Sequence, residues 1–254
     1  MADIEITFDA PLAYIKLNRP DRRNALSRAM WLGLADAAFE TEARPDIRVV
    51  IVEGTGGNFS SGADLSEFDT VFADAESTAD YLAAIEAGLT ALARLDRPTI
   101  ALVEGATIGG GLAVALSCDL RFSAEDAHIA TPPARLGLLY GPTETRRLVE
   151  LIGPSRAKDL LFSGRRVETT EALALGLIDR RVPPTNLRSA AEIYARELAT
   201  LSQTSICGAK AMVSAIQAGE EHDVLRARVQ AAAAGPDFQE GRLAYAEKRR
   251  PRFL

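Results

Sequence analysis

EGATIGGGLAVALSCDLRF, residues 104–122, is the stretch on which the reading of the chain turns. A β-branched run, TIALVEG (99–105), leads into it and reads as a buried strand. Three glycines follow, Gly109, Gly110 and Gly111, and then a wholly apolar helix. The first N–H groups of a helix have no internal partner and sit at the positive end of its dipole. Glycine lets a ligand come within van der Waals reach of them. The same three glycines also suit tight packing of a helix on a strand. No Ser, His, Lys, Asp or Glu follows them until Ser117, so an acid or base for this loop has to come from elsewhere in the chain.

Three motif templates fail here. A dinucleotide fingerprint from Gly109 needs glycine at 114, which is Val114. A phosphate-binding loop needs Gly-Lys-Ser/Thr, and there is no lysine. A nucleophile elbow is absent around Ser61. A pocket of backbone donors survives. FSSGADL (59–65) follows a second continuous apolar run, IRVVIVEG (47–54), and is placed to bring another N–H. Two donors from two loops make an oxyanion hole, in which a single donor stabilises a transition state by about 3 kcal/mol.

Outward from these loops, residues 3–17 alternate apolar and polar around Asp9-Ala10, as two short strands and a turn do. Ser27 caps a helix with Trp31, Leu34, Ala35, Ala38 and Phe39 on one face. Residues 66–80, polar and rich in small side chains, read as a cover over the loops. A helix then runs to about Leu95 and ends at Arg97-Pro98. Residues 119–141 read as short strands and turns, with Pro132-Pro133 barring a helix. From Pro142 the pattern is helical nearly to the end, broken at Gly153-Pro154 and by a strand near residue 180, and residues 186–248 form Ala-rich amphipathic helices. No internal repeat or linker separates the β-α half from the helical half.

Composition bounds the rest. The 254 residues carry a formal charge of −6 and are 47% hydrophobic, enough for a large core and the wrong sign for a general nucleic-acid binder. Lys248, Arg249, Arg250 and Arg252 form a local basic run, either a solvated tail or a phosphate contact. Cys118 and Cys207 belong to no C-x-x-C pair and are expected as thiols in a reducing cytoplasm. The N-terminus has no leader pattern, and no apolar run approaches the ~20 residues of a membrane span. His128 and His222 stand far apart with no acid or cysteine in ligand spacing, so no metal site is expected.

NALS (24–27), FSSGADL (59–65), residues 97–132, LGLLYG (136–141), ALALGLIDRRV (172–182) and EGRLAYAEKRRPRF (240–253) together resemble the enoyl-CoA hydratase/isomerase, or crotonase, superfamily, in order and from about residue 10 to the end. The resemblance implies an α/β fold, a ClpP-like spiral of ββα units. It divides the chain into a core with an acyl-CoA site (1–185) and a helical oligomerisation region (186–254), and implies homotrimers or hexamers. It implies a lyase or isomerase acting on acyl-CoA, with coenzyme A arriving as part of the substrate and no separate cofactor. The N–H groups of Ala63 and Gly110 would hold the thioester oxygen and stabilise an enolate. Arg22, Ala25, Ala63, Asp64 and Leu65 would lie along the CoA, and Lys248 and Phe253 would meet its nucleotide end, often across a subunit boundary.

The resemblance breaks at the two acids of the hydratases. Their positions are Ala113 and Pro133 here, and neither side chain moves a proton. General acid–base help contributes about 10²–10⁴ in rate, so classical hydration is not expected. Two groups stand in reserve. Tyr140, in TPPARLGLLYG, matches a tyrosine beside the substrate carboxylate in methylmalonyl-CoA decarboxylases of the superfamily, although those carry a histidine where Ala63 stands. Some isomerases of the superfamily place a single acid in the region of Glu144, nearer to Gly141, and Glu144 would also serve as an ordinary first-turn carboxylate. Glu67 and Asp69 are weaker candidates, and Asp119 reads as structural. The open readings are a malonyl-type decarboxylase using Tyr140, an isomerase using Glu144, and a non-catalytic acyl-CoA-binding protein.

Overall fold

The computed structural model describes residues 2–253. Strands β1 (Ile4–Asp9) and β2 (Leu12–Leu17) form the expected antiparallel pair. Helix α1 (Arg28–Glu42) starts at Ser27, whose hydroxyl accepts the Met30 N–H at 3.2 Å. Its buried face is Met30, Trp31, Leu34, Ala37, Ala38 and Thr41. Phe39, expected on that face, is 79% exposed, because the apolar stripe lies one position earlier on the helical wheel. Strand β3 (Val49–Gly54) follows, then α2 (Phe68–Val71) and α3 (Ala75–Arg94), whose first turn is capped by Asp74. Residues 66–80 are therefore largely helical. Next come β4 (Thr99–Val103), β5 (Ala106–Ile108), α4 (Gly110–Leu116), β6 (Leu120–Ala124) and β7 (His128–Ala130).

A short helix α5 (Pro133–Leu136) stands where the two prolines were expected to bar one. Proline at the first helical position loses no hydrogen bond and has its φ already set, so Pro133 starts the turn. Helices α6 (Pro142–Ile152) and α7 (Pro154–Ser163) meet at Gly153. They are followed by β8 (Arg166–Val167), α8 (Thr169–Leu175), β9 (Arg180–Val182) and α9 (Leu187–Ala199), and then by α10 (Gln203–Ala218), α11 (His222–Ala234) and α12 (Pro236–Ala246).

The strands make two sheets. The large one has the order β1-β2-β3-β4-β6-β9, parallel from β2 onward. Its central strands are buried on both faces, which is why they read as unbroken apolar runs. Ala13, Ile15, Val50, Val52, Ala101 and Val103 face the cluster built with α1, α3 and α4. The alternate residues, among them Leu12, Val49, Ile51, Ile100 and Phe122, face α9, which presents Leu187, Ala191, Ala195 and Ala199 at four-residue spacing. Helix α9 thus belongs to the sheet layer, and the helices that stand clear of the sheet begin with α10. Asp119 anchors that end as a structural carboxylate, accepting from the Thr99 N–H and from Lys210 Nζ, both at 2.8 Å.

The small sheet is β5-β7-β8, and single-residue parallel bridges extend it: Ser60 to Thr107, and Leu26 to Ala63. Successive windings of the chain each give a long strand to the large sheet, a short stretch to the small one, and a helix. The short stretches end side by side, so the segments after Leu26, Ser60, Ile108 and Ala130 gather at one edge.

Candidate active site

At that edge Leu26 donates its N–H to the Gly62 carbonyl at 2.7 Å and accepts the Asp64 N–H at 2.9 Å. Because successive peptides alternate direction along a strand, Ala63 directs its own N–H to the opposite side. On that side, a Cβ built on Gly62 would stand 3.5 Å from the Gly110 nitrogen, and one built on Gly110 would stand 3.5 Å from the Ala63 nitrogen. The nitrogens of the two expected donors thus lie near one another at this edge. Gly110 opens α4, so its N–H has no place in the helix ladder.

The three glycines have separate physical reasons. Gly109 has φ 50° and ψ −111°, a backbone that side chains rarely adopt. Gly110 leaves room, since a methyl there would stand 3.0 Å from Trp31 Cζ2. Gly111 lets α4 press on the neighbouring loop, and a methyl there would lie 2.5 Å from the Ser60 carbonyl oxygen. Ligand access and tight packing both apply, at different residues.

A cavity of about 660 Å³ opens beside Ala63 and Gly110. Trp31, Phe68, Phe72, Tyr81, Leu82 and Ile85 form one apolar wall, in which Phe68 and Phe72 meet edge to face at 5.0 Å and Phe72 and Tyr81 at 5.6 Å. Pro133, Leu136, Leu138, Leu139 and Tyr140 line the other side. Glu144 is the one carboxylate in the lining and is only 9% exposed. It starts α6, and its carboxylate folds over Gly141. Among the described residues no other side chain hydrogen-bonds to it. Burial pushes its pKa above the usual carboxylate value; the nearby Glu86 adds to the rise, while its own backbone N–H and the charge of Arg147 oppose it. Arg147 itself is turned away, donating to the Ser117 hydroxyl and to the Leu89 carbonyl.

Tyr140, expected beside a substrate carboxylate, donates its hydroxyl to the Gly109 carbonyl at 3.0 Å. Desolvation, chiefly, and then the charge of Glu144 raise its pKa. Ala113 is 1% exposed and packed in the core away from the cavity, whereas Pro133 lines it. Of these two positions only Pro133 borders the cavity, and neither carries a side chain that moves a proton.

The residues expected along a CoA divide into three groups. Ala63 and Leu65 line the cavity, with Leu65 55% exposed. Arg22 is exposed on the preceding turn and Ala25 is half-buried beside it, its carbonyl accepting from Arg19 Nη1 at 2.8 Å. Asp64 is buried and already engaged, accepting from the Ser66 hydroxyl at 2.6 Å and pairing with Arg19 at 2.9 Å. Its hydrogen bonds to Ser66 and then the Arg19 guanidinium hold its pKa below the usual value. Lys248 and Phe253 are not among the residues lining this cavity. Glu67 caps α1 instead, accepting the Arg28 N–H at 2.7 Å. Among the described residues no group of three His, Cys, Asp or Glu could hold a metal ion, and no helix is long and apolar enough to cross a membrane.

The sequence did not reveal Trp31 as a cavity wall, Asn24 as a staple, or Gly141 as the bed of Glu144. Asn24 sits at φ 55° and joins two loops by donating to the Thr55 and Asn58 carbonyls at 2.9 and 2.7 Å. The available signal was the NALS motif itself, in which a buried asparagine before a helix cap is an unusual choice.

Known proteins match this architecture along its whole length. The profile of the enoyl-CoA hydratase/isomerase family covers residues 7–254. A Mycobacterium bovis protein named "Probable enoyl-CoA hydratase" is 36% identical over 249 residues, 96% of this chain and 95% of its own. The solved structure of an enoyl-CoA hydratase/isomerase family protein from Hyphomonas neptunium superposes with a TM-score of 0.97 at 38% identity, covering 100% of this chain and 98% of that one. An enoyl-CoA hydratase/carnithine racemase from Magnetospirillum magneticum superposes at 0.95 with 30% identity, covering 100% and 96%. With its spiral of strands and helices and its paired loops at one sheet edge, the chain has the crotonase fold and belongs to the enoyl-CoA hydratase/isomerase family.

Proposed function

We propose that the protein is an enoyl-CoA isomerase in which Glu144 carries a proton between two carbons of an acyl-CoA. The observation that carries this reading is Glu144 itself, the single carboxylate in a mostly apolar cavity lining that also holds Arg135, beside the Ala63 and Gly110 nitrogens. The thioester oxygen of a 3-enoyl-CoA would sit between the two N–H groups, with its acyl chain against Trp31, Phe68, Phe72 and Ile85. The Glu144 carboxylate removes a proton from C2. The C–H electron pair moves into a C1–C2 double bond and charge gathers on the thioester oxygen, where the two N–H groups stabilise it. The protonated Glu144 then delivers the same proton to C4, and the conjugated 2-enoyl-CoA forms. No water is added, so the two hydratase acids are not needed. A raised pKa brings the carboxylate closer to the range in which a base works well near neutral pH.

The other readings draw less support. In a decarboxylase, Tyr140 would hold the departing carboxylate, but its hydroxyl is donated to Gly109 and Glu144 would repel that anion. In a simple carrier, a carboxylate buried against apolar walls would cost stability with no return. The test is to incubate the protein with a 3-enoyl-CoA, with crotonyl-CoA and with methylmalonyl-CoA. The reading expects growth of conjugated enoyl absorbance with the first and no turnover of the others. Rapid hydration of crotonyl-CoA, or release of propionyl-CoA, would overturn it.

A further inference from the structure

We infer that Tyr140 is a positioning residue for the oxyanion site, its hydroxyl gripping the carbonyl end of the same peptide unit whose N–H end belongs to Gly110. The inference rests on the reading that the Gly110 N–H receives the thioester oxygen. Gly109 C=O and Gly110 N–H are two ends of one planar trans peptide and point in opposite directions. A donor on the oxygen and an acceptor beyond the hydrogen therefore form a chain: phenol O–H to carbonyl, then amide N–H to thioester oxygen. Donation to the carbonyl polarises the amide and strengthens its N–H, by about 10–30% per bond in such chains.

Geometry gives the contact a second role. Gly109 lies at φ 50° and ψ −111°, where glycine alone moves freely, so the peptide plane needs an outside hold. Two donors supply it: the Ala113 N–H from within α4, and Tyr140 from across the cavity, both at 3.0 Å. Tyr140 is itself fixed, since its carbonyl accepts the Thr145 hydroxyl at 3.3 Å at the start of α6. The same first turn carries Glu144. Tyr140 thereby ties the start of α6, with its proton carrier, to the start of α4, with its oxyanion donor. Desolvation, chiefly, raises its pKa and keeps it protonated as a donor.

The experiment uses the intact protein with a bound, non-turning-over 2-enoyl-CoA whose thioester carbonyl is ¹³C-labelled, read by infrared difference spectroscopy. In the wild type the bound carbonyl band lies below that of the free ester. In Tyr140→Phe the downshift shrinks and kcat falls about tenfold or more, toward the ~10²-fold that misplacement in a reacting site can cost, while KM changes little. Fluorotyrosine at position 140, a stronger donor of the same shape, deepens the downshift beyond that of tyrosine. This second variant keeps the test sharp if the phenylalanine protein folds poorly. An unchanged band in both variants, or a kcat within twofold of wild type in Tyr140→Phe, would overturn the inference. A wild-type band that does not shift at all would instead overturn the underlying oxyanion reading.

Discussion

The Glu144 carboxylate lies over the Cα of Gly141, so close that a methyl group there would stand 2.3 Å from Oε2 and 2.9 Å from Oε1. Gly141 has φ −64° and ψ 164°, a backbone that alanine adopts without strain. Gly141→Ala therefore displaces the carboxylate and little else. Misplacement by about 1 Å can cost on the order of 10²-fold in rate, so kcat should fall by one to two orders of magnitude while thermal unfolding stays close to wild type. Kinetics and a melting curve on the same preparation check both halves.

Glu144 should also mark the pH behaviour. Burial raises its folded pKa above the ordinary glutamate value, so the folded state holds the proton more tightly than the unfolded chain. Relative to a neutral side chain, the wild type is then penalised increasingly as pH rises from the unfolded pKa through the folded one. Glu144→Gln should melt higher than wild type at neutral pH, with the difference closing at acid pH. In the active wild type, kcat/KM should rise with pH along an acid limb displaced above that of an ordinary glutamate. Melting curves across pH, with an acid-to-neutral rate profile, decide it.

The opposite sign applies to Asp64. Ser66 and Arg19 hold its carboxyl below the ordinary aspartate value, so its contribution to stability is present above that ordinary value and lost as pH falls through the folded pKa. Asp64→Asn should lower the melting temperature at neutral pH, and the loss should vanish in strong acid. Because the carboxylate is already engaged within the protein, acyl-CoA affinity should change little, which a binding titration measures.

Gly62 shapes the loop that carries Ala63. It has φ +97°, and a Cβ there would meet the Ile108 carbonyl oxygen at 2.7 Å, a backbone atom that cannot swing aside. Gly62→Ala should destabilise the fold by about 1–3 kcal/mol, the usual range for such strain. It should also push apart the loops that bear Ala63 and Gly110, so turnover falls even where the protein remains folded. Chemical denaturation and steady-state kinetics would show the two effects together.

Much of this arrangement was legible in the chain. Val49–Gly54 and Thr99–Val103 announced themselves as buried strands because both of their faces are covered, and Ser27 announced a helix start through its cap. The small sheet stayed hidden because Leu26, Ala63, Ser60 and Thr107 pair through single bridges, which leave no periodicity to read. Pro133 was misread because proline breaks helix interiors but begins helices well. Phe39 was misplaced because a helix stripe shifted by one residue still looks amphipathic. Tyr140 and Glu144 were found as candidates, but only contacts across the fold, to Gly109 and over Gly141, distinguish a structural hydroxyl from a free one and a capping acid from one facing a cavity.

The most direct test of the account follows the proton. A 3-enoyl-CoA deuterated at C2 is given to wild-type protein and to Glu144→Gln, and the position of the label in the product is read by mass spectrometry and NMR. The account predicts that the wild type forms 2-enoyl-CoA with part of the deuterium carried to C4. Glu144→Gln should bind the substrate with near wild-type affinity yet lose about 10²–10⁴ in turnover. Turnover in Glu144→Gln within a few-fold of wild type, with the same label transfer, would contradict it.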